Sequence, residues 1–145
     1  MILLDTNVLS ELMRPTPSPA VESWMGSQPA AGVFISAITE AELRYRLALL
    51  PESRRQKRLV AQAEAMLAED FVGRILPFDS LAASACARVA AARRLSGRPI
   101  SQADAQIAAI AASRGASLAT RNVADFVDCG IDIVDPWNDG SRRRD

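Results

Sequence analysis

The sequence predicts a single α/β layered domain built on a mainly parallel sheet of five strands. Three observations carry that expectation. Short, continuous apolar runs, the pattern of strands buried on both faces, recur along the chain. Between them lie longer segments whose apolar residues fall at helical spacing, so strands and helices alternate. A length of 145 residues supports one real core and is short for two ordinary domains. The domain is expected to span 1–137, with 138–145 a disordered basic tail.

Ile2-Leu3-Leu4 is the first strand, and it ends abruptly at Asp5-Thr6-Asn7. A helix over 8–13 follows, stopped by the stiff proline-alternating run Arg14-Pro15-Thr16-Pro17-Ser18-Pro19. A second helix over 20–27 turns Val21, Trp24 and Met25 inward. Val33-Phe34-Ile35 is the second strand, and Ser36 caps a helix over 37–50 whose buried stripe is Leu43, Leu47 and Leu50. Residues 53–69 read as a longer amphipathic helix. Its first turn carries Arg54, Arg55, Lys57 and Arg58 against the helix dipole, a weak pointer to an anionic partner. Residues 74–77 form the third strand, and Asp79 is the N-cap of an alanine-rich helix from Ser80 to Leu95. Ser101, followed three positions later by Asp104, opens a helix that runs through Ser113 and breaks at Gly115. Ser117-Leu118-Ala119 is the fourth strand, and 131–134 is a fifth, at the sheet edge, before Pro136-Trp137.

Composition narrows the chemistry. Lys plus Arg and Asp plus Glu each total 17, so no global field marks a nucleic-acid binder. All the cations but Lys57 are arginine, a pattern that genome bias explains and that also suits phosphate contacts. The chain has no histidine, so hydrolysis must rest on carboxylates, hydroxyls or a hard metal. Cys86 and Cys129 form neither a disulfide framework nor a CxxC site, and are expected to be small buried residues in a reducing cytoplasm. Neither a signal peptide nor a membrane-spanning run is apparent.

A helix crossing over into a parallel strand runs antiparallel to it. Asp104 therefore sits near the strands' carboxyl ends, where open α/β sheets keep their ligands. Asp5 after the first strand and Glu42 in the helix after the second fall at the same edge, and Asn122 and Asp125 after the fourth can join them. Singly, each acid has an ordinary structural use: Asp104 in a capping box, Glu42 paired with Arg46 one turn on. Glu40 is a competing carboxylate on a different face of that helix. Together, like charges a few ångströms apart repel by several kcal/mol even at an effective dielectric of about 20. Such a cluster needs a cation or shared protons, and with oxygen ligands alone Mg²⁺ or Mn²⁺ fits best. A carboxylate-held Mg²⁺ facing a phosphodiester would support hydrolysis by an activated water without a covalent intermediate.

Several stretches together resemble the PIN-domain proteins of the VapC/FitB type. They are Met1-Ile2-Leu3-Leu4-Asp5-Thr6-Asn7, Ser36-Ala37-Ile38-Thr39-Glu40-Ala41-Glu42-Leu43, Arg74-Ile75-Leu76-Pro77-Phe78-Asp79, Asp104 in its helix, and Thr120-Arg121-Asn122. The resemblance covers nearly the whole chain, up to Pro136-Trp137. It implies a compact three-layer α/β PIN fold, a Mg²⁺-dependent endoribonuclease activity, and the role of toxin in a type II toxin-antitoxin pair. It assigns the catalytic and metal-site acids to Asp5, Glu42 and Asp104, with Thr6 in support. The fourth position lies between Asn122 and Asp125, since some relatives carry an acid where this chain has Asn122. Relatives form homodimers and are neutralised by a small DNA-binding antitoxin. The implied partners are thus an RNA substrate, a VapB/FitA-like antitoxin and a second copy of the chain.

Two other classes share parts of this pattern. A phosphoryl-transfer fold with a strand-end aspartate nucleophile would use Asp5, but Asp5-Thr6-Asn7 lacks the second aspartate of one such family and Lys57 is poorly placed as its lysine. A non-catalytic module binding RNA or protein would have no reason to gather acids, and would bind without metal.

Overall fold

The first strand, β1 (Ile2–Leu4), is apolar at every position because helices cover both its faces. Ile2 and Leu4 pack on one side with Val8, Leu9 and Val21, while Leu3 packs on the other with Ile107, Ile110 and Phe126. That period-two division organises the molecule. The computed structural model describes residues 1–138 and the backbone of 142–144. Beside β1 lie β2 (Val33–Ser36), β3 (Ile75–Leu76), β4 (Ser117–Ala119), β5 (Asp132–Val134) and β6 (Arg142–Arg144), in the order β3-β2-β1-β4-β5-β6. All pairings are parallel except that of β5 with β6.

Four helices, α1 (Thr6–Leu12), α2 (Pro19–Gly26), α3 (Ala37–Ala48) and α4 (Arg54–Ala65), supply Leu9, Val21, Leu43 and Ala63 to the face shared with Leu4. On the other face, α5 (Ser80–Leu95) and α6 (Gln102–Ser113) supply Ala82, Val89, Ile107 and Ile110. The result is the expected three-layer α/β domain with five parallel strands. Among the described residues, no helix is long and apolar enough to cross a membrane.

Local chemistry sets the helix starts. Ser36, Asp79 and Ser101 cap α3, α5 and α6 as the sequence predicts, each accepting a backbone N–H three residues on. The first helix begins earlier than expected, at Thr6, because Asp5 itself is the N-cap and accepts the Thr6 N–H at 2.8 Å. The second begins on Pro19, where a missing N–H costs nothing. The long helix expected over 53–69 ends at Ala65. The segment Met66–Asp70 then widens into a π turn, closed by the Phe71 N–H to the Met66 carbonyl at 3.2 Å, which buries Leu67 and Phe71.

The carboxyl end of the chain differs from expectation. The fifth strand is not the edge of the sheet, and 138–145 is not wholly a disordered tail: Arg142–Arg144 pairs antiparallel with β5 as a sixth strand. A bare edge strand presents an unpaired row of N–H and C=O groups, and this returning segment satisfies them by backbone alone. Residues 139–141 and 145 lie outside the described residues.

The strand order makes β1 and β4 neighbours from which the chain departs in opposite directions, toward β2 and toward β5. Such a switch point opens a crevice at the carboxyl edge of the sheet. Ser36 sets the helix that carries Glu42 toward it. Ser36 is fully buried and accepts the Thr39 N–H at 3.0 Å. Ser36→Ala is therefore expected to lower the unfolding free energy by about 1–2 kcal/mol. Urea denaturation should show this as a lower midpoint at unchanged slope; an unmoved midpoint would deny the cap its role.

Candidate active site

Register brings the first two site residues together. Leu4 lies opposite Ala119, and the Asp5 N–H continues the ladder to the Ala119 carbonyl at 2.9 Å, so Asp5 and Thr120 leave the sheet side by side. Asp5 is 5% exposed and Thr120 fully buried. The Thr120 hydroxyl donates to Asp5 Oδ2 at 2.7 Å, and the Thr6 N–H to Asp5 Oδ1 at 2.8 Å. Asn7 stitches the two loops: its amide nitrogen reaches Asp5 Oδ2 at 3.3 Å and its Oδ1 accepts the Arg121 N–H at 3.2 Å.

Thr6 extends the group toward α3, donating from Oγ1 to Glu42 Oε1 at 2.9 Å, with Thr39 Oγ1 at 3.4 Å beneath. Glu42 thus turns to the sheet edge, and among the described residues it makes no ion pair with Arg46, the partner that helical spacing suggests. Glu40 is engaged elsewhere, with Arg44 at 3.0 Å, which removes it as a competitor.

Asp104 lies in the first turn of α6, half-buried. The Ser101 hydroxyl accepts its N–H at 3.2 Å and also hydrogen-bonds its carboxylate, so the capping role is real. Asp104 nonetheless faces the cluster. Burial raises its pKa above the usual carboxylate value, the Ser101 bond opposes this, and the charges of Asp5, Asp125 and Glu42 add to the rise. Asp5 is raised as well, first by burial and further by Glu42, against the hydrogen bonds from Thr120 and Thr6 and the charge of Arg46. Four carboxylates therefore share one field.

Asp125 sits exposed on the 3₁₀ turn Val123–Phe126, just after Asn122. Arg93, buried on α5, pins that turn by donating from one guanidinium nitrogen to the Asp125 and Val127 carbonyls at 2.9 Å each, while its Nε bonds the Arg98 carbonyl at 2.7 Å. Asn122 is exposed, and its backbone N–H donates to Thr120 Oγ1 at 3.0 Å.

The donor set is all oxygen and the chain has no histidine, which fits a hard divalent cation. Among the described residues, no three acidic, cysteine or histidine side chains are grouped tightly enough to hold an ion as they stand.

Thr120 and Asn7 escaped the sequence reading as site residues. Their signal is the register itself. Two parallel neighbours that both end in polar residues, Asp5-Thr6-Asn7 and Thr120-Arg121-Asn122, must bring those residues together once β1 and β4 are paired.

The PIN-domain family model matches residues 2–128. The chain is 41% identical over 137 residues to VapC ribonuclease Y4jK of Sinorhizobium fredii, covering 94% of this chain and 98% of that protein. It is 40% identical over 139 residues to toxin FitB of Neisseria gonorrhoeae, covering 96% and 100%. Among solved structures, FitAcB from Neisseria gonorrhoeae superposes with a TM-score of 0.90 at 39% identity, covering 95% of this chain and 99% of that one. The DNA-bound VapBC complex from Salmonella typhimurium gives 0.76 at 28% identity, covering 93% and 97%.

The raised carboxyl groups fix the sign of a pH dependence. A carboxylate whose pKa is higher folded than unfolded destabilises the fold above its folded pKa, and that cost vanishes below the unfolded value, here 3.8. In chelator, the melting midpoint of Asp104→Asn relative to wild type should become more positive as pH rises from 3.8 toward neutrality. A pH-independent difference in calorimetric midpoints would show that Asp104 carries no such cost.

Proposed function

The chain belongs to the PIN-domain family, with relatives of the VapC and FitB type, and on that premise we propose that it is a Mg²⁺-dependent endoribonuclease acting in the cytoplasm as the toxin of a type II toxin-antitoxin pair. The observation that carries the reading is the carboxylate cluster at the switch point. Asp5 is fixed there by Thr120 and Thr6, and the charges of Glu42 and Asp104 bear on one another across it. The role of Asp5 as an N-cap alone gives no reason to set the charge of Glu42 against it and both against Asp104.

Each residue has a definable task. Hydrogen bonds from Thr6, Thr120 and Asn7 fix both carboxylate oxygens of Asp5, and Thr6 orients Glu42. Ser101 holds Asp104 at the helix start. At the fourth position Asp125 supplies charge within the field of Asp104, while Asn122 offers a neutral amide one residue before the same turn. A bound Mg²⁺, or Mn²⁺ in its place, would lower the pKa of a coordinated water for in-line attack on the phosphodiester and neutralise the leaving oxygen. With no histidine to relay a proton, activation of the RNA 2′-hydroxyl is disfavoured, and the products should carry 5′-phosphate and 3′-hydroxyl ends.

Support for the partners comes from the relatives. The similar solved structures include FitAB and VapBC complexes, so a VapB/FitA-like antitoxin is the proposed inhibitor of this chain. Tyr45 on α3 and Leu49 at its C-cap, each 65% exposed, favour self-association into a homodimer.

Asp104→Asn separates capping from catalysis, since asparagine is nearly isosteric and keeps the N–H that Ser101 accepts. The variant should fold, lose Mg²⁺-dependent RNA cleavage by at least about 100-fold, the upper scale for losing even an outer-shell metal partner, and gain less in melting midpoint from Mg²⁺ than wild type does. Cleavage by the folded variant at the wild-type rate, or full wild-type activity in chelator, would overturn the proposal. Mapping product termini is a separate check, which cyclic phosphate ends would fail.

A further inference from the structure

A nuclease built around acids must still hold a polyanion beside them. Charge at the metal centre neutralises the phosphate being cleaved, but the flanking phosphates meet the same acidic field and need cations of their own. Among the described residues four arginines are occupied by acids: Arg14 with Glu11, Arg44 with Glu40 and Glu64, Arg98 with Asp128, and Arg114 with Asp79. Arg121 is among those that are not, and it follows directly on Thr120 of the site. It is exposed, it makes no ion pair among the described residues, and its guanidinium carbon lies 5.0 Å over the centre of the Trp137 ring.

Arg121 is held at both ends. Its backbone N–H donates to Asn7 Oδ1 at 3.2 Å, and the Asn7 amide nitrogen is 3.3 Å from Asp5 Oδ2, so a single side chain separates it from the acidic cluster. Trp137 is half-buried against the core that Leu4 and Leu9 share, and its N–H is tied to Asp135 Oδ1 at 3.0 Å. A cation–π contact with that ring engages the guanidinium's charge without using up its N–H donors, which can still take a phosphate in bidentate fashion. It also removes much of the rotamer freedom that a free arginine would lose on binding. Arg46, on α3, is a cation whose charge bears on Asp5 from the helix side.

We propose that Arg121, braced on Trp137, is a binding site for a backbone phosphate of the single-stranded RNA next to the bond being cleaved. The proposal rests on the nuclease reading for the identity of the ligand. It adds a subsite of distinct chemistry: one phosphate held by an arginine in cation–π contact with Trp137 just past β4, independent of the metal.

The test is fluorescence anisotropy of a labelled single-stranded RNA oligonucleotide, measured in chelator over a series of salt concentrations, with wild type, Arg121→Gln, Arg121→Lys and the distant Arg88→Gln. Arg121→Gln should bind about tenfold more weakly, as expected for one charged hydrogen-bonding contact. Its slope of log affinity against log salt should fall by about 0.7, the value for one phosphate on a single strand. Arg121→Lys should keep the slope and recover part of the affinity, and Arg88→Gln should match wild type. In Mg²⁺, Arg121→Gln should raise KM at unchanged kcat. Equal affinity and slope in Arg121→Gln and wild type, an equal loss in Arg88→Gln, or wild type with no affinity for RNA would each overturn the proposal. Wild type that binds RNA through Arg121 but cleaves none in Mg²⁺ would instead support the subsite and sink the nuclease reading.

Discussion

The parallel pairing of β1 with β4 is the constraint on which the core and the site both depend. Leu4 opposite Ala119 places Asp5 beside Thr120 and allows the 2.7 Å bond between them, and the same register sends Leu3 to one core and Ile2 and Leu4 to the other. A slip of one residue would exchange the faces and separate the acid from its hydroxyl. Fold and chemistry are therefore specified by one set of backbone bonds. The rest of the architecture elaborates that point: β2 and α3 bring Glu42 from one side, and α6 brings Asp104 over the top.

The site works against the stability of the domain that holds it. Asp5 and Asp104 are both pushed above the usual carboxylate range, chiefly by burial, and their neighbours' charges add to the effect. The fold tolerates this because hydrogen bonds from Thr120, Thr6 and Ser101 offset part of the cost, and because rigid elements do the holding. Arg93 is one such element, a buried cation satisfied by backbone carbonyls that locks the turn bearing Asp125. The balance of 17 cations and 17 acids in the whole chain conceals this local concentration of negative charge.

Much of this was legible in the sequence where the signal was local. The apolar runs of β1, β2 and β4 and the caps Ser36, Asp79 and Ser101 are short-range patterns, and the structure bears them out. What escaped needed three-dimensional information. Helical spacing pairs Glu42 with Arg46, but Thr6, 36 residues earlier in the chain, takes the carboxylate instead. Thr120 joins the site from 115 residues away. The sixth strand carries no apolar pattern, because an edge pairing by backbone requires none. Asp5 is both the N-cap of α1 and a member of the acidic cluster, a double use that is invisible in the sequence because its apolar pattern starts the helix at Val8.

The central claim is that the buried Asp5 anion, held by Thr120, belongs to a site for a hard cation. Its most direct test is a carbon-13 NMR titration of the Asp5 carboxyl group with and without Mg²⁺. In chelator the pKa should lie above 3.8, and Mg²⁺ should drive it down as the ion competes with the proton. An Asp5 titration that saturating Mg²⁺ leaves unmoved would contradict the claim.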